Sequence, residues 1–444
     1  MSGPENDFAR RLRAEQSSSR LPSLTAAVFA GGELVWSDAV GLADVEAGLH
    51  ATPEHGYRVG SITKTFTAAA VMALRDEGKL RLDDRLGDHV PDVAHPDPTL
   101  RRLLSHTSGL QREFPDEMWE SMSDPPREEL LAGVVEAEQL LEPGLAWHYS
   151  NLAFALLGEV VERRSGTAWE DFIAERFLGP LGLRRTAVEP SEPVARGYFV
   201  EPYQEGVRRE ADLLLRRTAA AGQLWSTVGD VARWGMFLVD PDPSVLAPVT
   251  VEQMHGVQVM AETDRWLLAA GLGIQLHRRG DRIFGGHGGA MPGFLAELMY
   301  SRPDRIGVVV LTNSSVWPRL EDFAAELLEA ALDECAPAPE EWRPEEPTSP
   351  ELAGLLGRWW TEGNEFVITY RRGRLEARMV AAPEWQPPAV FAADGDDRFR
   401  VVSGRERGEL LRVVRDENGE PVKLYWATYP CTRSPEVWGS SGRP

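Results

Sequence analysis

The chain has 444 residues, 43% hydrophobic and 26% charged, a globular composition longer than one core usually supports, so two or three domains are expected. Its formal charge of −22 at pH 7 argues against nucleic-acid and anionic-membrane partners, both of which need a basic surface. Three of its 47 basic residues are lysines, Lys64, Lys79 and Lys423, and lysine is the basic side chain that burial can deprotonate near neutrality.

In chain order, residues 1–20 are polar and lack the apolar core of a secretory signal, so a soluble, cytoplasmic protein is expected. Thr25–Ala30 and Glu33–Ala39 flank Gly31-Gly32 and read as a β-hairpin. Ser61 to about Gly78 has a helical pattern ending at glycine. Residues from about 80 to 240 read mainly as helices broken by proline and glycine. Among them are Asn151–Arg164, with one apolar face, and a helix near Thr227, with Thr227 and Asp230 as a capping pair. Arg282–Phe284, Phe294–Tyr300 and Gly307–Thr312 read as strands, with a turn at Pro303-Asp304, and Leu320–Leu332 as a helix. Strands at both ends with helices between predict an α+β fold, one sheet built from both termini.

The domains expected are 1–335, a Pro/Glu-rich linker over 336–350, and a small β-domain over 351–444. The last alternates in strand fashion, with Arg372-Gly373 and Asn418-Gly419 as turns, and suggests an antiparallel barrel or half-barrel. Its opening Gly357-Arg358-Trp359 looks like the start of lipocalin-like barrels. Cys335 and Cys431 lack CxxC partners and the nine histidines form no ligand pairs, so neither a metal nor a cofactor is expected.

Three segments carry chemistry. In Ser61-Ile62-Thr63-Lys64 the i, i+3 spacing on a helix brings hydroxyl and amine together, and a low-pKa lysine can take the serine proton. A capping serine with a solvated lysine is the structural alternative. In Tyr149-Ser150-Asn151 a tyrosine held between cations can ionise and act as a base, while the Asn151 amide holds a substrate carbonyl or the lysine. Alternatively, Asn151 caps the following helix and Tyr149 packs. In His287-Gly288-Gly289 the glycines let another backbone approach, so that the N–H groups of Ala290 and Ser61 form an oxyanion hole; the alternative is a glycine turn.

In this order and at these separations the three segments resemble the motifs of class C β-lactamases and their D,D-carboxypeptidase, D-aminopeptidase and esterase relatives. LLSHTSGL at 103–110, AGQLWSTVGDVARW at 221–234 and GLGIQL at 271–276 extend the likeness over about residues 10–335. The resemblance implies a β-lactamase/transpeptidase-like fold, Ser61 as nucleophile, and Lys64 and Tyr149 as proton-transfer partners. It gives Asn151, His287, Gly288, Gly289 and Ala290 to substrate and oxyanion binding. His287 stands where typical β-lactamases have lysine, which turns the expectation from β-lactams towards peptides and esters.

With the C-terminal domain included, the chain resembles stand-alone penicillin-binding-protein-type thioesterases. These release a peptidyl thioester from a synthetase carrier domain as a head-to-tail macrolactam. A D-selective peptidase or an esterase is the alternative, and a non-catalytic binding protein a remoter one. Arg433, near the chain end, is the residue of the β-domain expected to offer a cation to a peptide.

Overall fold

Gly31 and Gly32 adopt φ of +60° and +89°, the left-handed conformations that a two-residue hairpin requires. They join β1 (Ser23–Ala30) to β2 (Glu33–Asp44), with Ala30 paired to Glu33. The computed structural model describes residues 4–335, 341–344 and 348–436, and the chain divides into two units, Met1–Pro337 and Ala338–Pro444. The expected linker over 336–350 falls partly outside the described residues.

In the first unit the remaining sheet strands are β3 (Leu49–His50), β4 (Val259–Met260), β5 (Leu268–Ala270), β6 (Gln275–Arg279), β7 (Arg282–Met291), β8 (Phe294–Ser301) and β9 (Ile306–Thr312). They form a nine-stranded antiparallel sheet in the order β3-β2-β1-β9-β8-β7-β6-β5-β4. The central pairing is between the two ends of the unit, Leu24 opposite Thr312 through Ala30 opposite Ile306. This is the α+β arrangement expected from strands at both termini. The strand expected to stop at Phe284 runs on to Met291, so His287-Gly288-Gly289 is sheet rather than turn.

Five longer helices cover the sheet: α1 (Pro4–Ser18), α2 (Thr63–Asp76), α3 (Asn151–Ser165), α4 (Val228–Val239) and α5 (Leu320–Cys335). Because side chains alternate along a strand, β9 serves both faces. Val308 and Val310 join Phe8 of α1 and Phe323 and Leu328 of α5 in one core. Val309 and Leu311 join Phe66 of α2, Leu156 of α3 and Trp234 of α4 in the other. The remainder of 80–240 is less helical than its composition suggests. Prolines and glycines cut it into single turns such as Leu86–His89 and Leu100–Leu104. It also contributes the strand pair Tyr198–Val200 with Val207–Arg209, and its Trp225–Ser226 pairs with Tyr57–Arg58.

Helix α2 is buried on every side from Thr63 to Leu74. Its polar residues are therefore paired. Thr65 accepts from Trp234 Nε1 at 2.7 Å and Thr67 from Trp169 Nε1 at 3.0 Å, while Phe66 stacks on Trp234 with centroids 3.9 Å apart. Caps act locally as expected in part. Thr227 accepts from the Asp230 N–H, but the Asp230 carboxylate turns away to the Arg185 N–H and the Thr186 hydroxyl, so the reciprocal half of the box is not made. Ser150, not Asn151, caps α3 by accepting from the Ala153 N–H.

The second unit is one antiparallel sheet of eight strands in sequential order: β10 (Gly357–Thr361), β11 (Asn364–Arg371), β12 (Arg374–Met379), β13 (Ala389–Ala393), β14 (Arg398–Ser403), β15 (Leu410–Arg415), β16 (Pro421–Trp426) and β17 (Tyr429–Cys431). A bridge between Trp360 and Thr432 brings the last strand back to the first, giving a nearly closed barrel that fits the lipocalin-like expectation. Trp359, Phe366, Leu411 and Leu424 fill it. Arg433 is exposed and engages the barrel itself. Its guanidinium lies over the Trp359 ring at 3.8 Å and donates to the carbonyls of Gly354, Leu356 and Arg358. Through these bonds Arg433 ties the segment after β17 to β10 and the residues leading into it.

Asp124 is the strongest internal anchor of the first unit. It accepts from the N–H groups of Arg216 and Thr218, from the Thr218 hydroxyl and from Arg217 Nε at 3.0 Å, all away from water. Replacing Asp124 by alanine leaves the buried Arg217 cation with Asp116 as its remaining carboxylate and takes the acceptor from the Arg216 and Thr218 N–H groups, so equilibrium urea unfolding is expected to show a loss of about 2–3 kcal/mol. A loss below about 1 kcal/mol would show the pair to be dispensable.

Candidate active site

Gly60, at φ +50°, turns the chain into a single 3-10 turn, Gly60–Ile62, that leads into α2. Ser61 thus sits just ahead of the α-helix, and the spacing of three still brings Lys64 Nζ to 2.9 Å from its Oγ. Lys64 Nζ also donates to the Ala221 carbonyl at 2.6 Å and lies over the rings of Tyr149, at 5.1 Å, and Phe154, at 5.6 Å. The amine is fully buried. That desolvation, with repulsion from Arg112, pushes it down to about 7 against the attraction of Glu113.

Tyr149 precedes α3, and its phenol is hydrogen-bonded to Ser61. Burial drives its proton affinity well above the ordinary tyrosine value, outweighing the Ser61 bond and the Arg112 guanidinium 4.9 Å from the ring centroid. Burial thus favours the neutral phenol over the phenolate, against the lowering by Ser61 and Arg112. Lys64 is the group able to take a proton near neutrality, and Tyr149 remains a proton donor.

Asn151 opens α3, donating its backbone N–H to the Arg112 carbonyl at 2.8 Å. Its side-chain amide donates to Glu113 rather than to Lys64, and its Oδ1 is buried without a hydrogen-bond partner. His287 lies on β7 with its ring 6.2 Å from that of Tyr149. Its Nδ1 donates to the Gly288 carbonyl at 2.6 Å, and burial followed by Lys64 repulsion pushes it down to about 3. The ring is neutral at pH 7 and offers no fixed cation to a substrate carboxylate.

The glycines of β7 serve close approach. A Cβ at Gly289 would fall 2.0 Å from the Val59 carbonyl oxygen and 3.2 Å from the Ser61 nitrogen. A Cβ at Gly60 would fall 2.7 Å from the Ala290 nitrogen. The two backbones cross here with no room for a side chain, which sets the N–H groups of Ser61 and Ala290 on adjoining chains beside the nucleophile. Gly288 faces the other way, where its missing side chain leaves space for Glu297.

The structure thus brings together Ser61, Lys64, Tyr149, Asn151, His287, Gly289 and Ala290. It adds groups that sequence reasoning missed. Glu113 is a mostly buried carboxyl raised above its usual value by that burial, and Arg112 covers Tyr149. Both directly follow the LLSHTSGL segment, which was their one signal. Ala221 acts through a carbonyl, and no side-chain pattern reports that.

Comparison with known proteins places these residues in context. Residues 8–333 match the family model described as Beta-lactamase, and residues 348–433 match one described as a domain of unknown function. Penicillin-binding protein 4 of Amycolatopsis lactamdurans is 30% identical over 382 residues, covering 80% of this chain and 97% of that protein. The D-aminopeptidase of Brucella anthropi is 23% identical, covering 89% of this chain and 75% of its own length. The crystal structure of SurE is similar at 26% identity and a TM-score of 0.64, covering 97% of this chain and 99% of that one, and its structure with D-Leu matches with a TM-score of 0.62.

If Lys64 acts as the neutral base, activity is lost as it gains a proton. The kcat/KM profile should rise with a midpoint of about 7. It should be roughly 100-fold lower two pH units below the midpoint. A rise with its midpoint near 10 would show that Lys64 keeps an ordinary proton affinity.

Proposed function

From the premise that this chain belongs to the beta-lactamase family and is a serine hydrolase-type enzyme, we propose that it transfers peptidyl groups bearing a D-configured residue through an ester on Ser61. The observation that carries this reading is the 2.9 Å approach of a fully buried Lys64 amine to Ser61 Oγ. Ser61 Oγ attacks the acyl carbonyl and its proton passes to Lys64. The oxyanion is met by the N–H groups of Ser61 and Ala290. The intermediate collapses with breakage of the bond to the leaving group, which takes a proton from the Tyr149 hydroxyl as Lys64 returns one to Tyr149. The acceptor then attacks the acyl-Ser61 carbonyl as Lys64 removes its proton, and the Ser61 ester bond breaks with that proton returned to Ser61 Oγ.

The finer reading is a penicillin-binding-protein-type thioesterase. The donor is a peptidyl thioester presented by a synthetase carrier domain, and the acceptor is the peptide's own amine, which closes a head-to-tail macrolactam. The likeness to SurE over nearly the whole of both chains, together with its D-Leu complex, supports a D-configured residue at the acyl carbon. The neutral His287 suits such a donor, whose acyl end carries no free carboxylate. A second reading, hydrolysis as a D-aminopeptidase, is favoured by Glu113: its carboxyl in the cleft offers a partner for a substrate ammonium.

A peptidyl thioester ending in a D-residue distinguishes the readings. Intact-mass analysis is expected to show one acyl group, absent in Ser61→Ala, and chromatography a cyclic product in excess of linear acid. Linear acid alone, with faster turnover of D-aminoacyl amides bearing a free amine, would replace the cyclase by the aminopeptidase. Labelling that persists in Ser61→Ala would remove both. The chain's departure at His287 yields a separate expectation. His287→Lys should speed acylation by carboxylate-bearing β-lactams by about tenfold, the scale of one added ion pair in a dry site. An unchanged rate would show that position 287 does not meet the substrate carboxylate.

A further inference from the structure

We propose that His106 is the positioning residue of Tyr149, acting on the reaction only through the placement of that phenol. The proposal rests on the acyl-transfer reading above. It stands on the convergence of one residue upon three consecutive ones. The His106 carbonyl accepts from the His148 N–H at 2.7 Å, and its Nδ1 accepts from the Ser150 N–H at 3.1 Å. Between these two bonds, its ring stacks on Tyr149 with centroids 4.2 Å apart and planes 26° from parallel. The segment that carries the phenol is thus held on both flanks and on its face.

The backbone of His106 is set for this task. It adopts φ +57°, a left-handed conformation in which asparagine, aspartate and histidine are enriched among non-glycine residues and which marks a position determined by its surroundings. The tautomer follows from the geometry. Because Nδ1 receives the Ser150 N–H, the ring proton resides on Nε2, and protonating Nδ1 as well would set two N–H groups against each other. The surroundings agree: burial, then Lys64, His287, Arg112 and His148, hold the ring neutral. His106 is therefore neither the base nor a competing cation. It is a flat, uncharged support that keeps the phenol against Ser61 without drawing charge away from Lys64.

The test uses the full-length enzyme and the p-nitroanilide of an N-acetyl-D-amino acid, whose leaving amine must be protonated as its bond breaks. His106→Asn and His106→Gly both tolerate positive φ, and one serves if the other fails to fold. Either should lower kcat by about 100-fold, as an ångström-scale displacement does, with KM changed less than about twofold. The acid limb that belongs to Lys64 should keep its midpoint. In the Tyr149→Phe background the same substitution should cost no more than about threefold further, since its partner is already gone. Wild-type kcat in the single variants, losses that multiply in the double variant, or a moved acid limb would each overturn the proposal. Nitrogen NMR of the wild-type ring provides a check independent of activity. The Nε2–H neutral form is expected from about pH 5 to 9, and an imidazolium in that range overturns the assignment. If the wild type never acylates at Ser61, the acyl-transfer reading fails, and the tautomer measurement still judges the His106 geometry.

Discussion

The first unit is organised around one cost, the removal of the Lys64 amine from water. An isolated ammonium in such a place is prohibitive, so the group loses its proton and is left with two oxygen neighbours, Ser61 Oγ and the Ala221 carbonyl. Both must be held to within a fraction of an ångström. The helix that carries Lys64 is pinned by the indoles of Trp169 and Trp234 bonded to Thr67 and Thr65. The carbonyl that meets it lies just beyond the Arg216–Thr218 segment, which Asp124 grips from below.

Burial also sets the character of the whole cleft. It depresses Lys64, His106 and His287 and raises Glu113 and Tyr149, so each group moves towards its neutral form. The result is a site of low charge inside a strongly acidic protein. It suits an acyl group without a free carboxylate, and it makes the one mobile proton near neutrality that of Lys64. The neutral form of His287 follows from the same desolvation.

The oxyanion pair depends on a different constraint, the crossing of two backbones. Gly289 over Val59 and Gly60 under Ala290 leave no volume for a Cβ, and this lets β7 lie against the turn that bears the nucleophile. Sheet and helix thereby meet at the reacting atoms. Ser61 rides at the entry to α2, Ala290 rides on β7, and the long central pairing of β1 with β9 keeps the two in register.

Much of this was legible from local pattern. The Gly31-Gly32 hairpin, the α+β order, the helix after Ser61 and the strands around Phe294 and Gly307 follow from periodicity and turn residues, which act over a few positions. So does the likeness carried by Ser61, Lys64, Tyr149, Asn151 and His287, because residue type and spacing are what such motifs record. What the sequence could not determine was the environment of each group. Tyr149 was read as able to ionise, but its desolvation depends on His106, Arg112 and His287 closing around it, and these come from separate segments. The three carbonyls and the Trp359 face that Arg433 meets were not visible either, because they come together only when the barrel brings its ends together. His106 lies within LLSHTSGL and Glu113 just after it, so the segment was marked, but the roles of the two were not, since these lie in what they touch. Sequence by itself determined which groups capable of chemistry were present and which elements would carry them. Tertiary structure alone decided their proton affinities and partners, because both are set by the exclusion of water and by contacts between residues far apart in the chain.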